Sequence, residues 1–297
     1  MHIPVLQKEI LEILEPKTNE NFIDATFGLG GHALELLKRN KPAGKVLGIE
    51  LDPISIKTFK EINNFSHDAL ERLTLVNDSY TNLENIIADQ KFESAKGILF
   101  DLGLSSWHFE ESNRGFSFRR DEALDMRFNP DRNQLTAFEI VNYWKPEQIE
   151  TALKEFGQEQ FAKSIVQNLI RVRSIRPIRT TLELNQIIMD SVPGWYKRRK
   201  IHPATKTFQA LRIAVNDELE NIKQGIATAA KVLPKQGKIA VISFHSLEDK
   251  IVKTFFKEQE KENKLKIITK KPITASALEI KTNTRSRSAK LRAAQII

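Results

Sequence analysis

Apolar residues in the first hundred positions fall into short runs at 21–26, 45–50, 73–76 and 97–101, separated by segments with helical spacing. Short apolar runs alternating with amphipathic stretches predict strands joined by helices, and hence a parallel sheet. One helix is expected to open at Asp52-Pro53, where the aspartate can cap and the proline suits the first turn. Its Ile54, Thr58 and Ile62 keep the i,i+4 spacing of one face, with Phe59 adjacent. The next buried strand reads as Lys238–Ser243, about 135 residues after Asp101, whereas a crossover between parallel strands needs only about a dozen. Much of that interval is helix-patterned, over 145–156, 161–173 and 207–219, the last with Phe208, Leu211, Val215 and Leu219 at helical period. A helical domain over 112–215 is therefore expected within a sheet domain formed by 1–111 and 216–297. That sheet domain continues with a helix over 247–261 and strand-like runs at 265–269 and 288–294. The fold class expected is α/β, a doubly wound sheet with a ligand crevice at the carboxyl ends of its strands.

The first strand-like run leads directly into Asp24-Ala-Thr-Phe-Gly-Leu-Gly-Gly-His32, which places three glycines in four positions ahead of a helix-like segment. Gly28, Gly30 and Gly31 can take positive φ and let backbone N–H groups approach a ligand, and the helix that follows offers its N-terminus to negative charge. Glu50, 22 residues after Gly28 at the end of the second run, suits hydrogen bonding to a ribose diol. Nicotinamide-binding and S-adenosylmethionine-binding sheets share that spacing, so the loop leaves both open, as well as a glycine turn without a ligand.

Composition narrows the chemistry by exclusion. With no cysteine, the 297-residue chain has no disulfide, thiolate zinc site, iron–sulfur cluster or cysteine nucleophile. None of the six histidines forms an i,i+4 pair, and no metal site is expected. No apolar run approaches the roughly 18 residues of a membrane span, and the N-terminus lacks a secretory pattern, so a cytoplasmic protein is expected. The net charge of +8 is unevenly spread. Arg171–Arg212 carries ten lysines and arginines against Glu183 and Asp190, and Lys264–Ile297 carries nine against Glu279. Two basic segments on an acidic remainder suggest a polyanionic partner such as nucleic acid, with solvated surface lysines the plainer alternative.

Further polar clusters sit where a crevice is expected. Asp101, followed by Ser105 and Ser106, closes the fourth run and could orient a cofactor or accept from a substrate amine; alternatively it caps a turn. Ser243 and His245 close the fifth run, where His245 is either functional or a satisfied structural histidine. Lys206, Gln209 and Arg212 lie off the apolar face of their helix, and Arg285 and Arg287 precede the last strand, suited to phosphate.

These blocks together resemble the bacterial small-subunit (16S) ribosomal RNA (cytosine-N4)-methyltransferase family, known as RsmH or MraW. The matching segments run end to end: His2-x-Pro-Val-Leu, Asp24 to His32, Gly97 to Ser106, Arg114-Gly-Phe-Ser-Phe, Leu124-Asp-Met-Arg, His202 to Glu218, Ile242 to Asp249 and Arg285 to Arg292. The resemblance implies a Rossmann-like class I S-adenosylmethionine domain interrupted by a helical RNA-substrate domain. It implies cofactor contacts at Gly30, Gly31, His32, Glu50, Tyr80, Asp101 and His108. Five positions depart from the family: Glu50 replaces an aspartate, Tyr80 a phenylalanine, Trp107-His108 a Pro-Gln pair and Phe128 a methionine.

The implied reaction carries a methyl group from S-adenosylmethionine to the N4 amine of a specific cytidine in the decoding region of 16S ribosomal RNA, within the small subunit; homo-oligomerisation stays open. The missing cysteine agrees, because methylation at pyrimidine C5 ordinarily uses a thiolate adduct. Asp101 is the first candidate to accept from the target amine, with His245 and Ser243 next. Two rivals remain at this level. A nicotinamide oxidoreductase would share the sheet and Glu50, and an RNA-binding ribosome-assembly factor would keep the methyltransferase fold without turnover.

Overall fold

The strand-like runs form seven strands: β1 Asn21–Asp24, β2 Val46–Glu50, β3 Leu73–Asn77, β4 Ala95–Asp101, β5 Lys238–Ser243, β6 Leu265–Ile267 and β7 Lys290–Ile296. They lie in the order β3-β2-β1-β4-β5-β7-β6. The first five are parallel, and β7 runs antiparallel between β5 and β6. This computed structural model describes residues 4–62, 66–104, 106–110 and 112–297, with only the backbone of Ser106 and Glu110. His2 and Ser105 lie outside the described residues.

Strands buried on both faces explain why the runs read as continuous apolar stretches rather than alternating ones. Along β4, Ile98 and Phe100 enter one core cluster and Leu99 the other. Along β5, Ile239 and Val241 alternate in the same way with Ala240 and Ile242. The chain winds outward from β1 through β2 to β3, then returns to place β4 on the other side of β1. Strand order reverses between β1 and β4, the switch point at which open α/β sheets bind ligands.

The chain divides into two compact units, Met1–Gly103 with Leu219–Ile297 and Leu104–Glu218. The second begins earlier than residue 112 because Leu104 belongs to its helical core. Within that unit, Arg114 donates to the carbonyls of Arg127 and Phe128 at 3.1 and 2.9 Å and lies over the Trp107 ring, tying the segment after β4 to it. Its helices include Pro146–Glu155, Ala162–Arg173, Thr181–Asp190 and Ala204–Asn216. The last is shorter than the 207–219 periodicity suggests at its far end, because Asp217 adopts φ 47° and stops it. The helix expected at Asp52-Pro53 is Pro53–Glu61, with the Asp52 carboxylate accepting from the Ile54 amide at 2.9 Å. No helix among the described residues is long and apolar enough to cross a membrane.

Tyr80 rests edge-on against Phe100 of β4, with ring centroids 5.5 Å apart. Gly225, in the helix Glu218–Val232, faces that tyrosine so closely that a Cβ would stand 2.5 Å from its ring. Helix propensity alone would make Gly225→Ala stabilising by up to about 1 kcal/mol. Overpacking against an anchored ring costs about 1–3 kcal/mol and should prevail. Urea denaturation of Gly225→Ala is expected to show net destabilisation of about 1 kcal/mol.

Candidate active site

Parallel register decides which side chains meet at the switch point. Asp24 pairs with Gly48 on β2 and Leu99 on β4, and Glu50 and Asp101 lie two residues beyond those partners. Paired residues in parallel strands share a face, and so do residues two apart. The carboxylates of Asp24, Glu50 and Asp101 therefore extend one face of the sheet at neighbouring strand ends.

The glycine loop closes over this edge by hydrogen bonds to it. Phe27 donates to the carbonyl of Ile49 at 2.9 Å, and Gly30 donates to the carbonyl of Phe27 at 2.8 Å. Gly28 and Gly30 take φ of 55° and 78°, a region costly for residues with a Cβ. Gly31 does not need that freedom. It begins the helix Gly31–Arg39, and a Cβ there would meet Pro4 at 2.6 Å. Gly30 supplies no side-chain cap to this helix.

Each carboxylate is answered differently. Glu50 accepts from the Gly28 amide at 2.7 Å through one oxygen and from the Asp52 amide at 2.8 Å through the other. Burial nevertheless pushes its pKa up to about 7, against the pull of those two bonds. Asp24 is 1% exposed, and its carboxylate accepts from the Thr26 amide at 3.3 Å. Burial raises its pKa from 3.8 to about 6, with His32 opposing the rise. Asp101 donates its own amide to the Thr26 hydroxyl at 2.6 Å, and its carboxylate accepts from the Gly103 amide at 3.3 Å.

His32 sits among these acids. It is 6% exposed, and its Nε2 lies 3.6 Å from an Asp101 carboxylate oxygen without a hydrogen bond to any described residue. Buried polar atoms are normally satisfied, so an orphaned imidazole nitrogen beside a ligand loop points to a bound group.

A sequence model described as the MraW methylase family matches residues 1–297. The chain belongs to that family. It is 44% identical over 292 residues to ribosomal RNA small subunit methyltransferase H of Sulfurihydrogenibium sp. (strain YO3AOP1), covering 98% of this chain and 97% of the relative. It is 43% identical to the protein of the same name from Persephonella marina (strain DSM 14350 / EX-H1), covering 100% and 99%. A solved structure titled as a putative rRNA-methylase from Clostridium thermocellum aligns over all of both chains at 13% identity and a TM-score of 0.48. As a member of the MraW methylase family the chain is an S-adenosylmethionine-dependent ribosomal RNA methyltransferase with the class I sheet.

The crevice residues fit that cofactor. It carries a ribose diol, which donates hydrogen bonds, and sulfonium and ammonium cations, which favour carboxylates. The Glu50 and Asp101 carboxylates and the orphaned His32 nitrogen supply complementary groups on one strand-end edge, beside the backbone of Gly28, Gly30 and Gly31. Tyr80, half-buried on Phe100, offers an aromatic edge in the same unit.

The other expected site residues have varied settings in this MraW family member. Ser243, at the end of β5, is fully buried, and its hydroxyl has no partner among the described residues. His245 caps the helix Ser246–Lys261: its Nδ1 accepts from the Glu248 amide at 3.4 Å, while Glu248 accepts from the amides of Phe244 and His245. Its Nε2 is 3.1 Å from a Glu248 oxygen but out of line for a hydrogen bond. His108 belongs to the helical unit, buried edge-on against Trp107, Phe116 and Phe128.

Lys206 donates to the carbonyl of Gln158 at 2.7 Å and Gln209 to that of Phe156 at 3.0 Å, while Arg212 binds both oxygens of Glu218. These contacts fasten the 156–158 turn and the end of the helix, which accounts for three polar residues that the apolar face leaves unexplained. Arg285 is half-buried in the turn Thr284–Ser288, and Arg287 is exposed.

Asp24 and Thr26 were not singled out from the sequence, although both stand in the glycine motif. The available signal was a carboxylate closing an apolar strand run beside the switch point, a place where burial without purpose would be costly.

The raised acids set a pH dependence of stability. Between their unfolded and folded pKa values, Asp24 and Glu50 bind more protons in the folded chain, so stability is greatest below that window and declines as pH rises through it. Acids with lowered pKa, such as Asp249 beside Arg292, act oppositely but below about pH 4. Urea midpoints without cofactor should therefore fall between pH 5 and about pH 7.5, by on the order of 2 kcal/mol in stability. Asp24→Asn should flatten the decline, and an unchanged slope would contradict this charge balance.

Proposed function

We propose that this chain methylates the exocyclic N4 amine of one cytidine in the decoding region of 16S ribosomal RNA, acting in the cytoplasm on RNA held within the small subunit. The single observation that carries this reading is Asp101: a partly exposed carboxylate at the β4 end, 3.6 Å from His32, that accepts from the Gly103 amide while the Thr26 hydroxyl holds the Asp101 backbone amide. When bound, S-adenosylmethionine supplies an electrophilic methyl group.

The amine nitrogen of cytosine is a poor nucleophile because its lone pair is delocalised into the ring. Asp101 accepts a hydrogen bond from the N4–H and returns electron density to nitrogen, so the attack needs no covalent enzyme adduct. The chain has no cysteine to form such an adduct at ring carbon, which favours the exocyclic amine over C5. Orientation of the amine toward the methyl carbon lowers the barrier further. Gly28, Gly30, Gly31, His32, Glu50, Tyr80 and His108 are assigned to the cofactor. Ser243 and His245 are assigned to the target base as secondary polar contacts. The unit Leu104–Glu218 and the basic turn with Arg285 and Arg287 are assigned to the RNA backbone. Lys206, Gln209 and Arg212 act there chiefly by shaping the helix end they brace, since each already binds protein atoms.

Asp101→Asn keeps the size of the side chain while removing its charge. Methyl transfer to small-subunit RNA, read as N4-methylcytidine by nucleoside mass spectrometry, should fall about a hundredfold in kcat. The KM for RNA should be little changed. Wild-type turnover in the variant would remove Asp101 from the chemistry, and a C5-methylated product from the wild type would overturn the assignment of the target atom.

A further inference from the structure

The segment Gly194-Trp-Tyr-Lys-Arg-Arg-Lys200 places one aromatic pair beside four consecutive cations within the helical unit. Lys197, Arg198, Arg199 and Lys200 are all exposed, and Trp195 is 48% exposed. A half-exposed tryptophan is costly surface unless something covers it, and here it is held rigidly rather than left loose. Its ring meets Phe161 at 5.8 Å and Tyr196 at 5.7 Å between centroids, both near edge-on.

Beneath it, one buried carboxylate fastens both neighbours. Glu159, 2% exposed, accepts the Tyr196 hydroxyl at 2.8 Å through one oxygen and the Phe161 amide at 2.9 Å through the other. Burial and that carboxylate hold the phenol far above its usual pKa, so Tyr196 remains a donor. The Arg199 guanidinium lies 4.9 Å from the Trp195 ring centre and 5.1 Å from that of Tyr196, nested in the angle between the two rings.

An aromatic ring and a guanidinium plane, both open to solvent, with cations on either side along the chain, have the composition of a stacking platform for unpaired nucleic acid. Bases stack on the flat groups, and lysines and arginines follow the phosphates. A protein partner would more often demand a wider apolar surface, whereas only Ile201 adds exposed hydrophobic area next to this cluster in sequence. We infer that Trp195 and Arg199 form a stacking subsite for an unpaired base of the RNA substrate, with Lys197, Arg198 and Lys200 neutralising its flanking phosphates. The inference rests on the methyltransferase reading only for the identity of the RNA; the platform itself predicts affinity for any unpaired strand.

The test measures binding of the full chain to an unstructured RNA oligonucleotide of about a dozen nucleotides and to a duplex RNA of the same length. Trp195→Ala should weaken binding of the unpaired strand about tenfold and leave the duplex unaffected, and Trp195→Phe should restore most of the loss. Joint replacement of Lys197, Arg198 and Lys200 by alanine should weaken both RNAs and make binding less sensitive to salt, the logarithmic slope falling by about one for each phosphate left without its cation. Affinity of Trp195→Ala for S-adenosylmethionine should match the wild type, which checks that the variant is folded. Wild-type affinity of Trp195→Ala for the unpaired strand, or an equal loss on duplex, would overturn the subsite. Wild-type protein that binds unpaired RNA through Trp195 but methylates no cytidine would overturn the proposed reaction and leave the platform standing.

Discussion

Parallel register carries Asp24, Glu50 and Asp101 to adjacent strand ends on one sheet face, where burial, and to a lesser degree neighbouring carboxylates, oppose ionisation of Asp24 and Glu50. The surrounding structure can be understood as the set of groups that makes this tolerable. Backbone amides of Gly28 and Asp52 hold Glu50, the Thr26 amide and the His32 imidazole favour ionised Asp24, and the Gly103 amide reaches Asp101. The glycine loop therefore has two duties. It leaves room for a ligand, and its Gly28 N–H answers one oxygen of the acid at the end of β2. A cationic cofactor would answer the remaining negative potential, which is why apo stability and cofactor binding are linked through the same carboxylates.

The helical unit relies on a related device, polar side chains that close turns on buried partners. Arg114 collects two carbonyls, Arg212 chelates the Glu218 carboxylate, and Glu159 gathers a hydroxyl and an amide. Rigid support of this kind is what a surface needs if it is to present residues to a large, flexible polyanion without itself rearranging. The charge excess of Arg171–Arg212 thus divides into braced cations such as Arg212 and open ones such as Lys197 to Lys200.

Much of the sheet was legible because its strands are buried on both faces, and continuous apolar runs identify such strands directly. The glycine loop, Glu50 and Asp101 were legible too, since spacing from a strand end constrains them. Other details depend on tertiary geometry that no periodicity encodes. Gly31 looked like a third flexible glycine, but its missing side chain makes room for Pro4. The helix pattern through Leu219 ran past Asp217, where a left-handed residue ends the helix without disturbing the apolar spacing. The trio Lys206, Gln209 and Arg212 carry chemistry-bearing side chains, yet local hydrogen bonds occupy them, and the Nδ1 of His245 is taken up in capping its helix. Asp24 escaped notice because a carboxylate closing an apolar run reads as a turn residue until neighbouring strands place two more acids beside it.

Nuclear magnetic resonance of the full chain titrated with S-adenosylhomocysteine addresses the crevice most directly, since amides and imidazole nitrogens report their own surroundings. The amides of Gly28, Gly30 and Gly31 and the ring nitrogens of His32 should shift together as the ligand saturates, with Glu50 and Asp101 carboxyl carbons moving in step. Saturable binding that leaves those signals in place, and moves another part of the chain instead, would contradict the assignment of this strand-end edge as the cofactor site.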